Sequence, residues 1–257
     1  MFEALENGIY RLCIPFENIY TSVFLLVEGE NSALIDSGST DVDSTNYILP
    51  ALRHAGISPD YLICSHLHGD HCGGIRALCD AYPTAKVGLF SRDIPFQTGS
   101  IHLFSDGEIL WERFQIFNMQ GHTQDSLAAL DLKTNTLLTA DCLQLFGIGR
   151  YGTSVTDVAQ YKLTIERIKH FGVQKIIAAH AYVPCGYMAE GVDAVQNYLT
   201  VCGQAVDLIE GFVKKQYRQG TGCDVLAKQF CGQYTDLPPI NGATVCAFAK
   251  SLGLCCH

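Results

Sequence analysis

The 257-residue sequence lacks a long apolar run, a basic stretch and a low-complexity linker. No apolar run approaches the ~18 residues that would indicate a membrane-spanning helix, so no membrane association is predicted. Basic residues are scarce, with 17 Lys and Arg against 26 Asp and Glu and a formal net charge of -9. Nucleic-acid-binding domains usually carry a basic patch, so no nucleic-acid partner is predicted.

A secretory signal is also missing, because the N-terminal segment has no basic stretch followed by an apolar one. This predicts a cytoplasmic location. The twelve cysteines show no closely spaced framework, so we expect mostly reduced, structural thiols, with Cys64 and Cys246 acting as small hydrophobes in apolar runs. The terminal Cys255-Cys256-His257 is either a stray metal binder or a frayed end without function.

Apolar residues make up 48% of the chain and charged residues 17%, a balance typical of globular proteins. The first third is dominated by predicted strands, and later strands alternate with helices, which favours an α/β fold of two sheets with helices outside. We predict a catalytic domain over residues 1–185 and a helical C-terminal extension over 186–257. The predicted strands include Tyr61 to Cys64, Phe114 to Met119, Thr136 to Ala140 and Lys175 to Ala179.

Apolar residues recur in the C-terminal part at alternating intervals of four and three, which predicts a long amphipathic helix over residues 188–213. Two interpretations remain open at this stage. The helix either packs on its own domain or pairs with a second copy of the chain in a homodimer. The stripe consists of Met188, Val192, Val195, Leu199, Cys202, Val206, Ile209 and Val213.

Histidine and aspartate concentrate in the segment His66-Leu67-His68-Gly69-Asp70-His71, directly after a predicted strand. Alternate residues of an extended segment point the same way, so His66 and His68 can converge on one ion while Asp70 and His71 turn toward a neighbouring position. Imidazole and carboxylate ligands suit zinc, iron or manganese better than calcium or magnesium. Burying such a cluster without a metal would be costly, so the segment predicts a metal centre.

The segment SHLHGDHCGG, residues 65–74, resembles the HxHxDH signature of the metallo-β-lactamase superfamily, in particular its glyoxalase II-like members. The resemblance extends over about residues 8–182 and implies the αββα sandwich of that superfamily, here with the C-terminal helical extension. Four further residues resemble markers of the family in type, order and context: Asp36 in a turn after an early strand, His122 in a Gly-His-Thr motif, Asp141 at a strand end, and His180 after KIIAA.

The resemblance implies a role for each of these residues. His66, His68 and His122 would bind a first metal, and Asp141 would bridge it to a second. Asp36 would orient a histidine ligand or its loop, since ligand imidazoles need their other nitrogen held. The second metal would be bound by Asp70, His71 and His180.

The resemblance further implies a hydrolase with two divalent ions, zinc in the first place and iron or manganese as alternatives. A metal-bound hydroxide would attack an ester, thioester, lactone or similar bond of a small-molecule substrate, with Asp70 as the catalytic residue that orients the hydroxide and carries a proton. Tyr20 and Tyr182 are predicted to line the substrate pocket. Gln124-Asp125-Ser126 and the residues around His180 depart from the family pattern without removing a ligand.

Two other functions stay open. The first is an iron-dependent sulfur (persulfide) dioxygenase, or another oxidoreductase, on the same fold. Such a dioxygenase needs one iron, which would leave the second group of ligands idle. The other is a non-enzymatic binding module with a decayed site, which the complete set of ligands disfavours.

Overall fold

The structure is a computed structural model that describes residues 1–91, 94 and 99–254. The tail Cys255-Cys256-His257 lies outside these residues. Two compact units are found, one of residues 1–118 with 127–133 and one of residues 119–126 with 134–257. The predicted boundary after residue 185 stays a prediction. Among the described residues, no helix has the length and apolar character needed to cross a membrane.

A seven-stranded sheet carries the first part of the chain, with its strands in sequence order. The first four strands are antiparallel, and the fourth to the seventh are parallel. Parallel pairing brings the carboxyl ends of β4 and β5 to the same edge, where the loops after them can meet. The strands are β1 Glu3–Glu6, β2 Ile9–Phe16, β3 Ile19–Glu28, β4 Asn31–Ile35, β5 Tyr61–Ile63, β6 Lys86–Leu89 and β7 Ser100–Leu103.

This sheet packs against the helices that follow β4 and β5. Its core includes Ile14, Val23 and Leu34 from the strands and Leu52 and Leu78 from the helices, all at most 1% exposed. Residues 41–55 form a continuous helical stretch with a π-helical turn in its middle. The helices of this part are α1 Asp41–Asp43, the π-turn Ser44–Ile48, α2 Leu49–Ala55, α3 Gly69–Cys72 and α4 Ile75–Ala81.

A six-stranded sheet has the order β15-β14-β11-β10-β9-β8, and β12 and β13 form a separate pair. Strands β11 and β14 are parallel neighbours, so the residues at their carboxyl ends lie at one edge of the sheet. The strands are β8 Glu108–Leu110, β9 Phe114–Asn118, β10 Leu127–Asp131, β11 Thr136–Ala140, β12 Gly147–Ile148, β13 Tyr151–Gly152, β14 Lys175–Tyr182 and β15 Gly186–Glu190.

Four helices complete the described part of the chain. Helix α5 begins after Asp157, whose side chain accepts a hydrogen bond from the backbone N–H of Gln160, a typical N-cap. Glu210 of α6 pairs with Lys162 of α5. The helices are α5 Val158–Lys169, α6 Val192–Gln216, α7 Cys223–Gln233 and α8 Gly242–Ser251.

The long helix α6 begins later than the apolar stripe indicated. Met188 lies in strand β15, and the helix starts only at Val192. The stripe began too early because this one strand residue happened to continue the helical spacing. Met188 and Val192 are exposed, whereas the other six residues of the stripe are buried within the chain. The helix therefore packs on its own chain, and a homodimer through it stays a prediction that would need another of its surfaces.

The interpretation of Cys246 as a plain buried thiol is wrong. Cys246 of α8 forms a disulfide with Cys223 of α7, with Cα atoms 5.4 Å apart. Spacing in the sequence could not reveal this pair, because 23 positions separate the two residues and only helix packing brings them together.

Candidate metal centre

The segment after β5 presents four of the predicted ligands. It bends at residues 65–67 and reaches His68, whose backbone caps the short helix α3, which carries Asp70 and His71. The ring centroids of His66 and His68 are 4.7 Å apart, and those of His66 and His71 are 4.2 Å apart. His66 and His71 are buried, His68 is exposed and Asp70 is partly exposed. The cluster is thus buried at His66 and His71 and accessible to solvent at His68 and Asp70.

The buried carboxylate of Asp36 anchors this segment through hydrogen bonds. It follows β4 with a left-handed backbone (φ 72°), and its Oδ2 lies 2.7 Å from Nδ1 of His71. Its Oδ1 accepts a hydrogen bond from the backbone N–H of Ser65, and the Ser65 hydroxyl donates to Oδ2. The same hydroxyl lies 3.1 Å from Nδ1 of His66. Asp36 and Ser65 together therefore fix the rings of two predicted ligands.

The glycine pair after the motif is required for close packing. A Cβ on Gly73 would lie 1.9 Å from the carbonyl oxygen of Ser39, and one on Gly74 would lie 2.3 Å from that of Ser37. Neither glycine has a positive φ in the structure. The absence of a side chain at both positions thus permits the close approach of the loop that carries Asp36, and no unusual backbone conformation is involved.

Three further predicted ligands come from turns and a strand later in the chain. His122 follows Gly121, whose φ of 130° and contact with the backbone of Tyr161 exclude a side chain there. Asp141 directly follows β11, and His180 lies within β14, the parallel neighbour of β11. All three ligands are buried. The parallel pairing explains why Asp141 and His180 lie close together.

The ligand rings are oriented through one nitrogen, which leaves the other for a metal. Nδ1 of His122 lies 2.8 Å from the carbonyl oxygen of Ser154, which makes it the donor nitrogen. Its Nε2 lies 3.9 Å from Oδ2 of Asp141, and Nε2 of His180 lies 3.5 Å from Oδ1 of the same carboxylate. Nε2 of His71 lies 3.4 Å from Oδ2 of Asp70.

These separations fit ligands of a common ion. They are longer than ordinary hydrogen bonds. Two atoms that each lie ~2.1 Å from one tetrahedral metal are roughly 3.4 Å apart. Buried imidazoles held at Nδ1, facing a carboxylate at this spacing, are the donor set that zinc, iron or manganese prefers. The residues present therefore fit a divalent transition metal.

The seven predicted ligands fall into one set in each compact unit. The first unit brings together His66, His68, Asp70 and His71, and the second brings together His122, Asp141 and His180. Each set combines histidines with a carboxylate.

The two tyrosines predicted to line a pocket differ in their surroundings. The ring of Tyr182 lies edge-on to that of His180 on the same strand, with centroids 5.6 Å apart. The ring of Tyr20 lies under the guanidinium of Arg11. The next residue, Thr21, points to the other face of the strand, and its hydroxyl donates to Oδ2 of Asp70 at 3.2 Å. Strand alternation thus turns Tyr20 away from Asp70.

Sequence reasoning missed Thr21, Ser65 and Gln144, which contact predicted ligands. Gln144 is 4% exposed, and its Nε2 lies 3.3 Å from Oδ2 of Asp141. Its backbone N–H donates to the hydroxyl of Tyr161, whose pKa is raised well above the usual value because the side chain is fully buried. A lone glutamine among the apolar residues from Cys142 to Phe146 was the available signal, since buried polar groups are normally hydrogen-bonded.

Comparison with known proteins supports the resemblance. Residues 18–89 match the sequence model of the Metallo-beta-lactamase superfamily. The chain is 27% identical to a beta-lactamase-like protein 2 homolog of Caenorhabditis elegans, over 77% of this chain and 68% of the relative. It is also 27% identical to a hydroxyacylglutathione hydrolase of Xanthomonas euvesicatoria, over 52% of this chain and 50% of that protein. An atrochrysone carboxyl ACP thioesterase of Aspergillus terreus is 24% identical, over 54% of this chain and 42% of the relative.

Solved structures confirm the predicted fold. A metallo-beta-lactamase family protein of Thermus thermophilus matches with a TM-score of 0.70 and 16% identity, over 97% of this chain and 94% of that one. The metallo-beta-lactamase FIM-1 of Pseudomonas aeruginosa, solved in a mono-zinc form, matches with a TM-score of 0.63 and 19% identity, over 80% of this chain and 96% of that one. The chain therefore has the α/β metallo-β-lactamase fold, with helices at its C-terminal end.

Proposed function

We propose that this chain of metallo-β-lactamase fold is a metal-dependent hydrolase with a binuclear centre. His66, His68 and His122 would hold one ion, and Asp70, His71 and His180 would hold the other. Asp141 would be a ligand shared by both. Zinc is the metal we expect, because imidazole-rich sites with one or two carboxylates suit it and a related fold has been solved with it.

One observation carries the proposal, namely that each compact unit holds histidine nitrogens and a carboxylate at the spacing of metal ligands. Nε2 of His71 lies 3.4 Å from Oδ2 of Asp70, and Nε2 of His180 lies 3.5 Å from Oδ1 of Asp141. A single structural metal would need only one such set. Orienting contacts at the other ring nitrogen, from Asp36 to His71 and from Ser154 to His122, are typical of metal-ligating imidazoles. Together these features favour two ions over one.

Metal ions bound there would supply Lewis-acid chemistry, lowering the pKa of water and polarising the scissile bond. Within the chain, Asp70 is the residue best suited to move a proton. Its carboxylate is 16% exposed, and Thr21 donates a hydrogen bond to Oδ2. One carboxylate oxygen is thereby oriented while the group keeps access to solvent. Asp70 is thus proposed to position the attacking water and to carry its proton to the leaving group.

A small-molecule thioester is the substrate class that we place first. Two relatives in the comparison, a hydroxyacylglutathione hydrolase and an ACP thioesterase, have names that specify thioester chemistry. The sequence-based range of esters, lactones and similar bonds remains the wider proposal. Tyr182, next to His180, is a proposed lining residue, and the pocket role of Tyr20 stays a prediction. The cytoplasmic location and the homodimer stay predictions as well.

The metal content of the purified protein tests this proposal. We expect close to two zinc or manganese ions per chain by plasma mass spectrometry without added metal, and hydrolysis in a panel of thioesters, esters, lactones and phosphodiesters. His122→Ala should lose both metal and turnover. His170→Ala, which replaces an exposed histidine outside the ligand groups, should keep both.

The alternative dioxygenase predicts a different result. It requires about one iron per chain and oxygen consumption with a persulfide substrate. That combination, without hydrolysis of any member of the panel, would contradict the hydrolase proposal. A protein that binds no metal and hydrolyses nothing would favour the binding module instead.

A further inference from the structure

The side-chain amide of Gln144 connects two predicted ligands, Asp141 at its nitrogen end and His122, through Ser154, at its oxygen end. Its Nε2 lies 3.3 Å from Oδ2 of Asp141, and its Oε1 accepts a hydrogen bond of 2.6 Å from the backbone N–H of Ser154. The carbonyl of Ser154 in turn accepts the hydrogen bond from Nδ1 of His122. The Gln144 amide thus contacts Asp141 directly and is connected to His122 through the backbone of Ser154.

The orientation of this amide is fixed by chemistry. An amide side chain has a donor end and an acceptor end, and a backbone N–H can only donate. The N–H of Ser154 therefore requires Oε1 of Gln144 as its acceptor, and the NH₂ group must then face Asp141. This settles the amide orientation, which distances alone would leave open. Asp141 consequently meets a donor at Oδ2, while its Oδ1 faces Nε2 of His180.

The turn that carries Gln144 is itself anchored. The backbone N–H of Gln144 donates to the hydroxyl of Tyr161 in α5 at 2.9 Å. The carbonyl of the next residue, Leu145, accepts a 2.6 Å hydrogen bond from the hydroxyl of Thr153. Tyr161 is fully buried in α5. Helix α5 therefore holds the backbone of Gln144 in place, independently of either ligand.

We propose that Gln144 is a positioning residue of the metal centre, which sets the carboxylate of Asp141 and, through Ser154, the ring of His122. This inference rests on the proposed function. Residues that orient metal ligands typically contribute about 10- to 100-fold to metal affinity. We expect Gln144 to have an effect of that size, and the fold of the metal-free protein to depend on it much less.

The test compares zinc affinity with the stability of the metal-free protein. Gln144→Met keeps the length of the side chain and removes both contacts, so we expect zinc affinity to fall about 10- to 100-fold in a competition titration against a chromophoric chelator. The absorption spectrum of the cobalt-substituted protein should also shift, because it reports ligand geometry. The metal-free variant should unfold within a few degrees of the metal-free parent.

Two further variants sharpen the result. Gln144→Glu keeps an acceptor for the N–H of Ser154 but places a carboxylate against Asp141, so it should also lower the zinc affinity. This variant serves as the test if Gln144→Met does not fold. Gln115→Met is the matched control. It removes a glutamine hydrogen bond to the carbonyl of Gly107, which contacts no predicted ligand, and should leave zinc affinity and the cobalt spectrum unchanged.

The outcomes separate this inference from the function on which it rests. If the parent protein binds zinc and Gln144→Met has the same zinc affinity and cobalt spectrum, only the positioning role is overturned. Failure of both Gln144 variants to fold without metal would also overturn it, since the role would then lie in folding. Parent protein that binds no divalent metal would overturn the proposed metal centre and the inference together.

Discussion

Oδ2 of Asp36 lies 2.7 Å from Nδ1 of His71, and both side chains are completely buried. Because a carboxylate accepts hydrogen bonds, this contact places the ring proton on Nδ1 and leaves the lone pair of Nε2 available. Ser65 holds the same carboxylate through its backbone N–H and its hydroxyl. Asp36 therefore selects the tautomer in which His71 can bind a metal.

Asp36→Asn should weaken metal binding without removing a ligand. The amide can donate to Nδ1 of His71, which would move the ring proton to Nε2 and block it as a ligand. We expect zinc affinity to fall about 10- to 100-fold in a competition titration. Asp43→Asn is the control, because Asp43 accepts a hydrogen bond from the backbone of Ser39 and contacts no predicted ligand. Equal zinc affinity in both variants would show that Asp36 does not orient His71.

Asp141→Ala should lose metal and activity together. Asp141 faces Nε2 of His122 and of His180, so its removal takes a carboxylate from between two histidines. We expect metal content below one ion per chain by plasma mass spectrometry, with turnover at background. Asp207→Ala, an exposed change on α6, should retain both properties. Full metal content with normal turnover in Asp141→Ala would refute its bridging role.

The ligand segment could be predicted because its chemistry is local. Three histidines and an aspartate fall within six residues after a short apolar run, and β5 does end there at Ile63. Strand β11 was predicted with its observed bounds, Thr136–Ala140, because an apolar run is closed by Asp141. His180 was placed at a strand end, whereas β14 continues to Tyr182.

The supporting contacts could not be predicted, because they join residues far apart in the sequence. Thr21 and Asp70 are 49 positions apart, and nothing in the strand containing Thr21 marks it as a partner. Short edge strands were missed for another reason. β7, Ser100–Leu103, is half polar, and β15, Gly186–Glu190, contains a methionine that continued the helical spacing of α6. Pairing with a neighbour, rather than composition, makes these segments strands.

Arg113→Met should destabilise the protein strongly. The Arg113 guanidinium is 4% exposed and donates two hydrogen bonds to the buried carboxylate of Asp131. Removing one partner of a buried pair leaves the other charge uncompensated, which costs about 3 kcal/mol or more. The control is Lys133→Met, because Lys133 pairs with Glu28 at the surface, where about 1 kcal/mol or less is expected. Urea unfolding measures both, and equal losses would contradict the buried-pair argument.

The disulfide between Cys223 and Cys246 should stabilise the C-terminal helices without affecting the metal centre. It closes a loop with a sequence separation of 23, for which the chain-entropy model gives roughly 3 kcal/mol. The double variant Cys223→Ala/Cys246→Ala should therefore unfold at lower urea than the oxidised parent while binding the same amount of zinc. Cys231→Ala, which changes a free thiol on α7, should have a smaller effect.

Mass spectrometry without reductant decides whether the bond between Cys223 and Cys246 forms. If Cys223 and Cys246 are both alkylated in native protein, the helices must be held by packing alone, and the double variant should match the parent.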